Sequence, residues 1–242
     1  MPPQDVERID GTEGFRVLQG PSLMTIHFGM DQWRDELLDM PGSGQNPFRD
    51  RRVREAFHRA IDIDAIRDVT MRGAATPAGL LIAPGIAGFD AELNRRVPHD
   101  PARAKALLTE AGYADGFPVT IDCPNDRYVN DEEICVAVAG MLRRIGVAAE
   151  VNAQTKSLHF AKAGAPGGYD TSIYMLGWIP GTYDAHDVLH NLMTLRDGPE
   201  GSGVWNAGNW TDPRVEELTE AIASEMDQDK RTGLIGEALR IH

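Results

Sequence analysis

The chain has 242 residues, 42% hydrophobic and 25% charged, with 24 basic against 37 acidic side chains and a formal net charge of −13. That size buries a real core as one large domain or two small ones, and the acidity reads as a charge that maintains solubility. Nucleic acid and anionic membranes are excluded as expected partners because both need a basic footprint, and no apolar run nears the roughly 20 residues of a bilayer span.

The opening MPPQDVERIDG lacks the basic start and apolar centre of a secretory leader. At face value that points to the cytoplasm, but a piece of a longer exported chain reads the same way. FRVLQG (15–20) and MTIHFGM (24–30) carry strand composition on either side of a Gly-Pro-Ser turn. They are expected to pair or to continue around a bend. After Asp50, the residues Val53, Ala56, Phe57, Ala60 and Ile61 repeat at helical spacing, with arginines opposite. Arg72 to Pro98 is rich in Gly, Ala and Pro and reads as a long loop crossing the surface.

A second helix has its start and stop written out: Asp100 to cap, Pro101 in the first turn, Ala104, Leu107, Leu108 and Ala111 as the stripe, and Gly112 to end it. FPVTIDC (117–123) and VAAEVNA (147–153) are strands flanking a third helix. That helix starts at Asn130, has acids at 131–133, and carries Ile134, Val138, Met141, Leu142 and Ile145 inward. Strand, helix and strand within 117–153 fit a parallel βαβ unit with a right-handed crossover. AKAGAPGGYD (161–170) reads as a flexible loop, and SIYMLGW (172–178) as a buried strand. Asp212 and Pro213 start a fourth helix with Val215, Leu218 and Ile222 inward. DQDKRTGLIGEALRIH (227–242) begins another helical pattern that reaches the last residue without a stop signal, so truncation is expected at both ends. The class is α/β.

Catalytic motifs do not emerge. The chain has no Gly-x-Ser-x-Gly elbow, phosphate loop, His-Glu-x-x-His or Rossmann glycine pattern, and no cofactor is expected. His186 and His190 would share a helical face near Asp184 and Asp187, but no third metal ligand is defined, so they read as solvated or hydrogen-bonded histidines and no metal is expected. Cys123 and Cys135 form no metal spacing and read as small buried residues. A disulfide between them needs an oxidising compartment and a geometry that spacing does not fix.

Arg127 and Tyr128 stand just beyond the strand at 117–123, where ligands gather in open α/β sheets. The alternative is a structural turn in which Asn125 and Asp126 hold the backbone. Trp178 and the following IPGTYDAHD are placed likewise beyond an apolar strand, with Trp178 divided between binding surface and core. Trp205 and Trp210 read as clamps on a loop.

Five segments together carry a family pattern. NPFRDRRVREAFHRAIDIDAI (46–66), HDPARAKALLTEAGYADGFPVTI, MLRRIGVAAEV, YDTSIYMLGW and NWTDPRVEELTEA resemble, in order, segments of the extracytoplasmic solute-binding proteins of peptide-type ABC importers, family 5 (oligopeptide, dipeptide and nickel receptors). PPQDVERI and GPSLMTIHFGM resemble the entry into the same region. The resemblance implies a periplasmic-binding-protein-like lobe of type II, a mixed sheet flanked by helices. Residues 1–242 would be a single ligand-binding lobe, the second of a two-lobe receptor.

On that resemblance the function is binding without catalysis. A peptide or peptide-like solute would be enclosed in an interlobe cleft, in the periplasm or another extracytoplasmic space, and delivered to permease subunits. The partners are the solute, the permease and the missing first lobe. The site residues are Arg127, Tyr128, Trp178, Thr182, Tyr183 and Asp184, with Trp178 and Tyr183 for stacking and Arg127 and Asp184 for charge; the helix at 46–66 is scaffold. Peptide-binding members place an amino-terminus anchor, an Asp, three residues after the Gly-Trp, where this chain has Gly181. An arginine that some carry just before Gly-Trp is also absent, since Tyr174, Met175 and Leu176 stand there, so glutathione-like compounds, opines, sugars and metal chelates stay open. The rival readings are a sensory or chemotaxis receptor of the same fold and a small α/β hydrolase using His186 or His190.

Overall fold

The computed structural model describes residues 2–198 and 201–241. In chain order its regular elements are α1 (Val6–Asp10), β1 (Thr25–Met30), α2 (Arg51–Ala60), α3 (Ile63–Ala65), α4 (Pro101–Glu110), β2 (Pro118–Pro124), α5 (Asp131–Arg144), β3 (Ala148–Gln154), α6 (Lys156–Ala163), β4 (Ile173–Trp178), α7 (Ala185–Val188), α8 (Pro213–Ser224) and α9 (Gln228–Ile241). The chain divides into two compact units. The first comprises residues 1–22, 50–77 and 97–159, and the second 23–49, 78–96 and 160–242.

In the first unit the helix starts follow the acid-and-proline signals. The Asp50 side chain accepts from Arg52 N at the head of α2, and Asp100 from Arg103 N at the head of α4, satisfying amides that a helix start leaves without partners. The apolar stripe of α2 (Val53, Ala56, Phe57, Ala60) is buried, and α2 packs on α4. Phe57 stacks on Phe117 at 5.9 Å, and Tyr113 meets the edge of Phe117 at 5.3 Å. Burying each such large apolar side chain stabilises by about 1.5–3 kcal/mol. The arginines of α2 turn outward, Arg59 onto Glu55 at 2.7 Å and Arg52 onto Asp50 and the Glu110 carbonyl. The expected βαβ unit is present: β2 and β3 pair in parallel from Pro118↔Ala148 to Pro124↔Gln154, with α5 packed on both.

Two features of this unit depart from the sequence reading. Residues 15–20 form no strand, and Phe15 and Leu18 lie exposed while Val17 N donates to Asp10 Oδ1. Strand composition becomes a strand only against a partner edge. Cys123 and Cys135 are buried as expected, but not as separate thiols: they form a disulfide joining the end of β2 to the second turn of α5, with Cα atoms 6.7 Å apart.

In the second unit β1 and β4 pair antiparallel, with Gly29 opposite Tyr174. A Cβ at position 29 would overlap the Tyr174 ring, so only glycine lets that ring cross the neighbouring strand. Burial pushes the Tyr174 phenol up to about 12 despite hydrogen bonds from the Gly208 and Ala207 amides. The core gathers Tyr174, Leu176, Val188, Leu189, Leu218, Ile222, Ile235 and Leu239, bringing together β4, α7, α8 and α9. Asp212 caps α8 by accepting from Arg214 N, and Pro213 occupies the first turn.

The 72–98 segment is irregular as expected, but it does more than cross the surface. Leu80, Ile82 and Ile86 are buried in the second unit's core. The 161–170 segment is also more ordered than a flexible loop: it begins inside α6 and tightens into a 3-10 turn at Ala165–Gly167, with Asp170 N donating to Lys162 O.

Replacing both cysteines, Cys123→Ser with Cys135→Ser, is expected to lower stability by about 3 kcal/mol through the chain entropy the link removes from the unfolded state. The check is the urea midpoint of the double variant against the parent. An unchanged midpoint would mean the link contributes nothing to stability.

Candidate functional site

The loop after β4 is organised by two aspartates. Trp178, half-buried at the end of the strand, donates its indole N–H to Asp187 Oδ1 at 2.7 Å. The other oxygen of Asp187 accepts from Gly181 N at 3.1 Å, so one carboxylate fixes both the ring and the turn that follows it. Trp178 also approaches Trp205 at 6.2 Å, and Trp205 meets the edge of Phe160 at 5.9 Å. The ring therefore packs against the core while its indole N–H ties down the loop that follows. Thr182 and Tyr183 are exposed at the tip.

Asp184 is the N-cap of α7 and accepts from His186 N at 2.8 Å. It also takes a two-point bond from Arg231 of α9, at 2.7 Å and 2.9 Å. Burial pushes the Asp184 carboxyl up, but Arg231 and the His186 amide outweigh it and hold the group below the usual carboxylate range. Asp184 thus enters the site as a group already bonded within the protein.

His186 and His190 share a helical face as their spacing predicts, their rings stacked at 5.7 Å. Burial, then the neighbouring His190, push His186 below the ordinary imidazole value, against the opposing pull of Asp184. Among the described residues no group of three His, Cys, Asp or Glu side chains is arranged to hold a metal ion.

In the first unit the loop after β2 is built around Asp131, which is buried. Its Oδ2 accepts from Arg127 N at 3.0 Å and Tyr128 N at 2.9 Å, while Oδ1 accepts from Glu132 N. The expected backbone roles of Asn125 and Asp126 are filled differently. Asn125 N donates to Gln154 O, and the Asp126 side chain accepts from Lys156 N at the head of α6. Asn130 takes a left-handed backbone and makes no side-chain cap; its amide group donates to Thr70 O at 2.8 Å. The result is an exposed Arg127 whose guanidinium lies 5.1 Å from the Tyr128 ring centroid, and no carboxylate among the described residues pairs with it.

The six candidate residues therefore fall into two groups, Arg127 and Tyr128 in the first unit and Trp178, Thr182, Tyr183 and Asp184 in the second. Sequence reasoning missed Asp131, Asp187 and Arg231, which hold these loops. An aspartate at a helix start is a readable signal for Asp131, whereas nothing local marks Arg231, 47 residues from its partner.

The fold is that of a lobe of periplasmic binding protein structures. The fold is shared with the periplasmic binding protein DppA of Helicobacter pylori in complex with the peptide STSA, at a TM-score of 0.84 and 20% identity over 98% of this chain and 43% of that one. It is shared too with AgaA of A. tumefacien R10 in complex with agropinic acid, at a TM-score of 0.81 and 21% identity over 99% of this chain and 45% of that one. The sequence pattern described as bacterial extracellular solute-binding proteins, family 5 Middle, matches residues 1–199. The chain belongs to that family, one of binding proteins rather than enzymes. A relative among curated proteins, the glutathione-binding protein GsiB of Salmonella typhimurium, is 30% identical over 196 residues, covering 80% of this chain. The chain spans 37% of that relative's length and 43% of the Shigella flexneri GsiB. No described helix is long and apolar enough to cross a membrane.

The lowered His186 value has a pH consequence. A base whose folded pKa is depressed contributes stability that is complete above its unfolded value of roughly 6.5 and lost as pH falls through the folded one. Thermal midpoints are expected to decline as pH drops below that value, and less steeply in His186→Gln. Parallel declines in parent and variant would assign the pH dependence to other groups.

Proposed function

We propose that this chain is one lobe of the solute-binding component of an ABC importer, acting outside the cytoplasm, and that it captures a peptide or peptide-like solute for delivery to permease subunits. The observation that carries the reading is the 30% identity over 196 residues to a glutathione-binding protein. Membership of the solute-binding family supports it, and the coverage of less than half of each relative supports a second lobe supplied by a longer chain. Enclosure between lobes is the hinge-type population shift of two-domain receptors.

The residues assigned to contact are Trp178 and Tyr183 for stacking, Thr182 for a hydroxyl hydrogen bond, and Arg127 with Tyr128 for a solute carboxylate. An exposed guanidinium that no carboxylate among the described residues pairs with favours an anionic group, which it binds at two points. Asp184 contributes by holding the loop. An acidic peptide such as glutathione carries the carboxylate that Arg127 would take.

The test is calorimetric titration of the full-length receptor with reduced glutathione, preceded by native mass spectrometry for co-purified solute. Arg127→Ala and Trp178→Ala are each expected to weaken binding about tenfold, the scale of 1.4 kcal/mol. If neither changes affinity, the residue assignment is wrong; if no small solute binds at all, the receptor reading fails.

A further inference from the structure

Tyr183 adopts a left-handed backbone with φ 54, a conformation that a bulky residue keeps only where its surroundings impose it. Its side chain is 61% exposed, so burial of the ring does not account for the conformation. The backbone on either side is held instead. Ala87 N donates to Tyr183 O at 3.0 Å, and Ala185 N donates to Ala87 O at 2.9 Å, an isolated bridge that grips the chain around Asp184. Asp184 is in turn gripped by Arg231 at two points, and Arg231 Nε donates to Ile222 O at the end of α8, at 3.2 Å. Both side chains of that pair are largely shielded, at 18% and 20% exposure, where a two-point ion pair holds its geometry better than at an open surface. At the other end of the loop, Asp187 fixes Trp178 and Gly181.

We propose that Arg231 is a positioning residue for solute recognition. Acting through Asp184, it locks the loop in the strained form that projects Tyr183 outward beside Thr182. The inference rests on the proposed role of this loop in solute contact. Its physical content is preorganisation: a loop already held in its binding shape loses less conformational freedom when the solute arrives. A purely structural ion pair would instead contribute to stability alone.

Arg231→Met, Arg231→Lys and the exchange pair Asp184→Arg with Arg231→Asp separate these roles in the full-length receptor. Hydrogen exchange at the Ala87 and Ala185 amides reports the lock, and titration with reduced glutathione and with tri-alanine reports recognition. Arg231→Met is expected to speed exchange at both amides at least about tenfold and to weaken the bound probe about tenfold. Arg231→Lys, with one point charge in place of a planar fork, should fall between parent and Met variant on both readouts.

Faster exchange with unchanged affinity would overturn the recognition role and leave Arg231 structural. Unchanged exchange would overturn the lock itself. If Arg231→Met does not fold, Arg231→Lys and the exchange pair decide: protection and affinity moving together support the proposal, and affinity independent of protection overturns it. A parent receptor that binds neither probe overturns the functional reading, and the recognition role with it, which is distinct from a parent that binds and variants that bind equally.

Discussion

Every helix start leaves backbone N–H groups without partners, and at five of its helix starts this chain meets that constraint with an aspartate cap. Asp50, Asp62, Asp100, Asp184 and Asp212 each accept from an amide in the first turn of the helix that follows. Asp131 does the same work one residue later, gathering the amides before it as well as the one after. The acidic surplus of the composition is therefore partly structural. Where those carboxylates also take arginine, as Asp184 takes Arg231, one group ends a loop, begins a helix and ties both to a distant element. Both candidate loops are shaped this way, so their geometry depends on how the chain satisfies its own amides.

Much of this was legible in the sequence. Asp-Pro at 100–101 and 212–213 names both a cap and a first turn, and the structure places α4 and α8 there. The βαβ unit follows from two apolar runs around a striped helix. His186 and His190 stack because a helix puts positions four apart on one face. These signals are local, and local signals survive folding. What failed depended on distance. FRVLQG has strand composition but no strand, because pairing is a property of two segments. Spacing could not say that Cys123 and Cys135 meet, and nothing near Arg231 shows what it binds. The 72–98 loop looked like surface because its apolar residues follow no period, yet Leu80, Ile82 and Ile86 are core.

The candidate site shows the same division. Trp178, Thr182, Tyr183, Arg127 and Tyr128 stand as candidates because strand ends in α/β folds are where loops meet solutes. The residues that aim them could not be named from sequence, since Asp131, Asp187 and Arg231 act by hydrogen bonds that only coordinates reveal. Proteins that share this fold hold chemically different solutes, as the peptide in complex with DppA and the agropinic acid in complex with AgaA illustrate. Loops pinned by a few interchangeable side chains offer a physical route to that variety, because they can be reshaped without disturbing the strands behind them.

The glycine at position 29 has an effect beyond its own packing. The Tyr174 ring lies across the neighbouring strand at the one place lacking a Cβ. Sliding β1 by two residues would preserve which faces point inward, and so would escape correction by hydrophobic sorting. It would also bring His27 or Asp31 opposite the phenol in place of Gly29. The missing methyl therefore works as a keyway, admitting a single alignment of the two strands and rejecting the nearest decoys by collision.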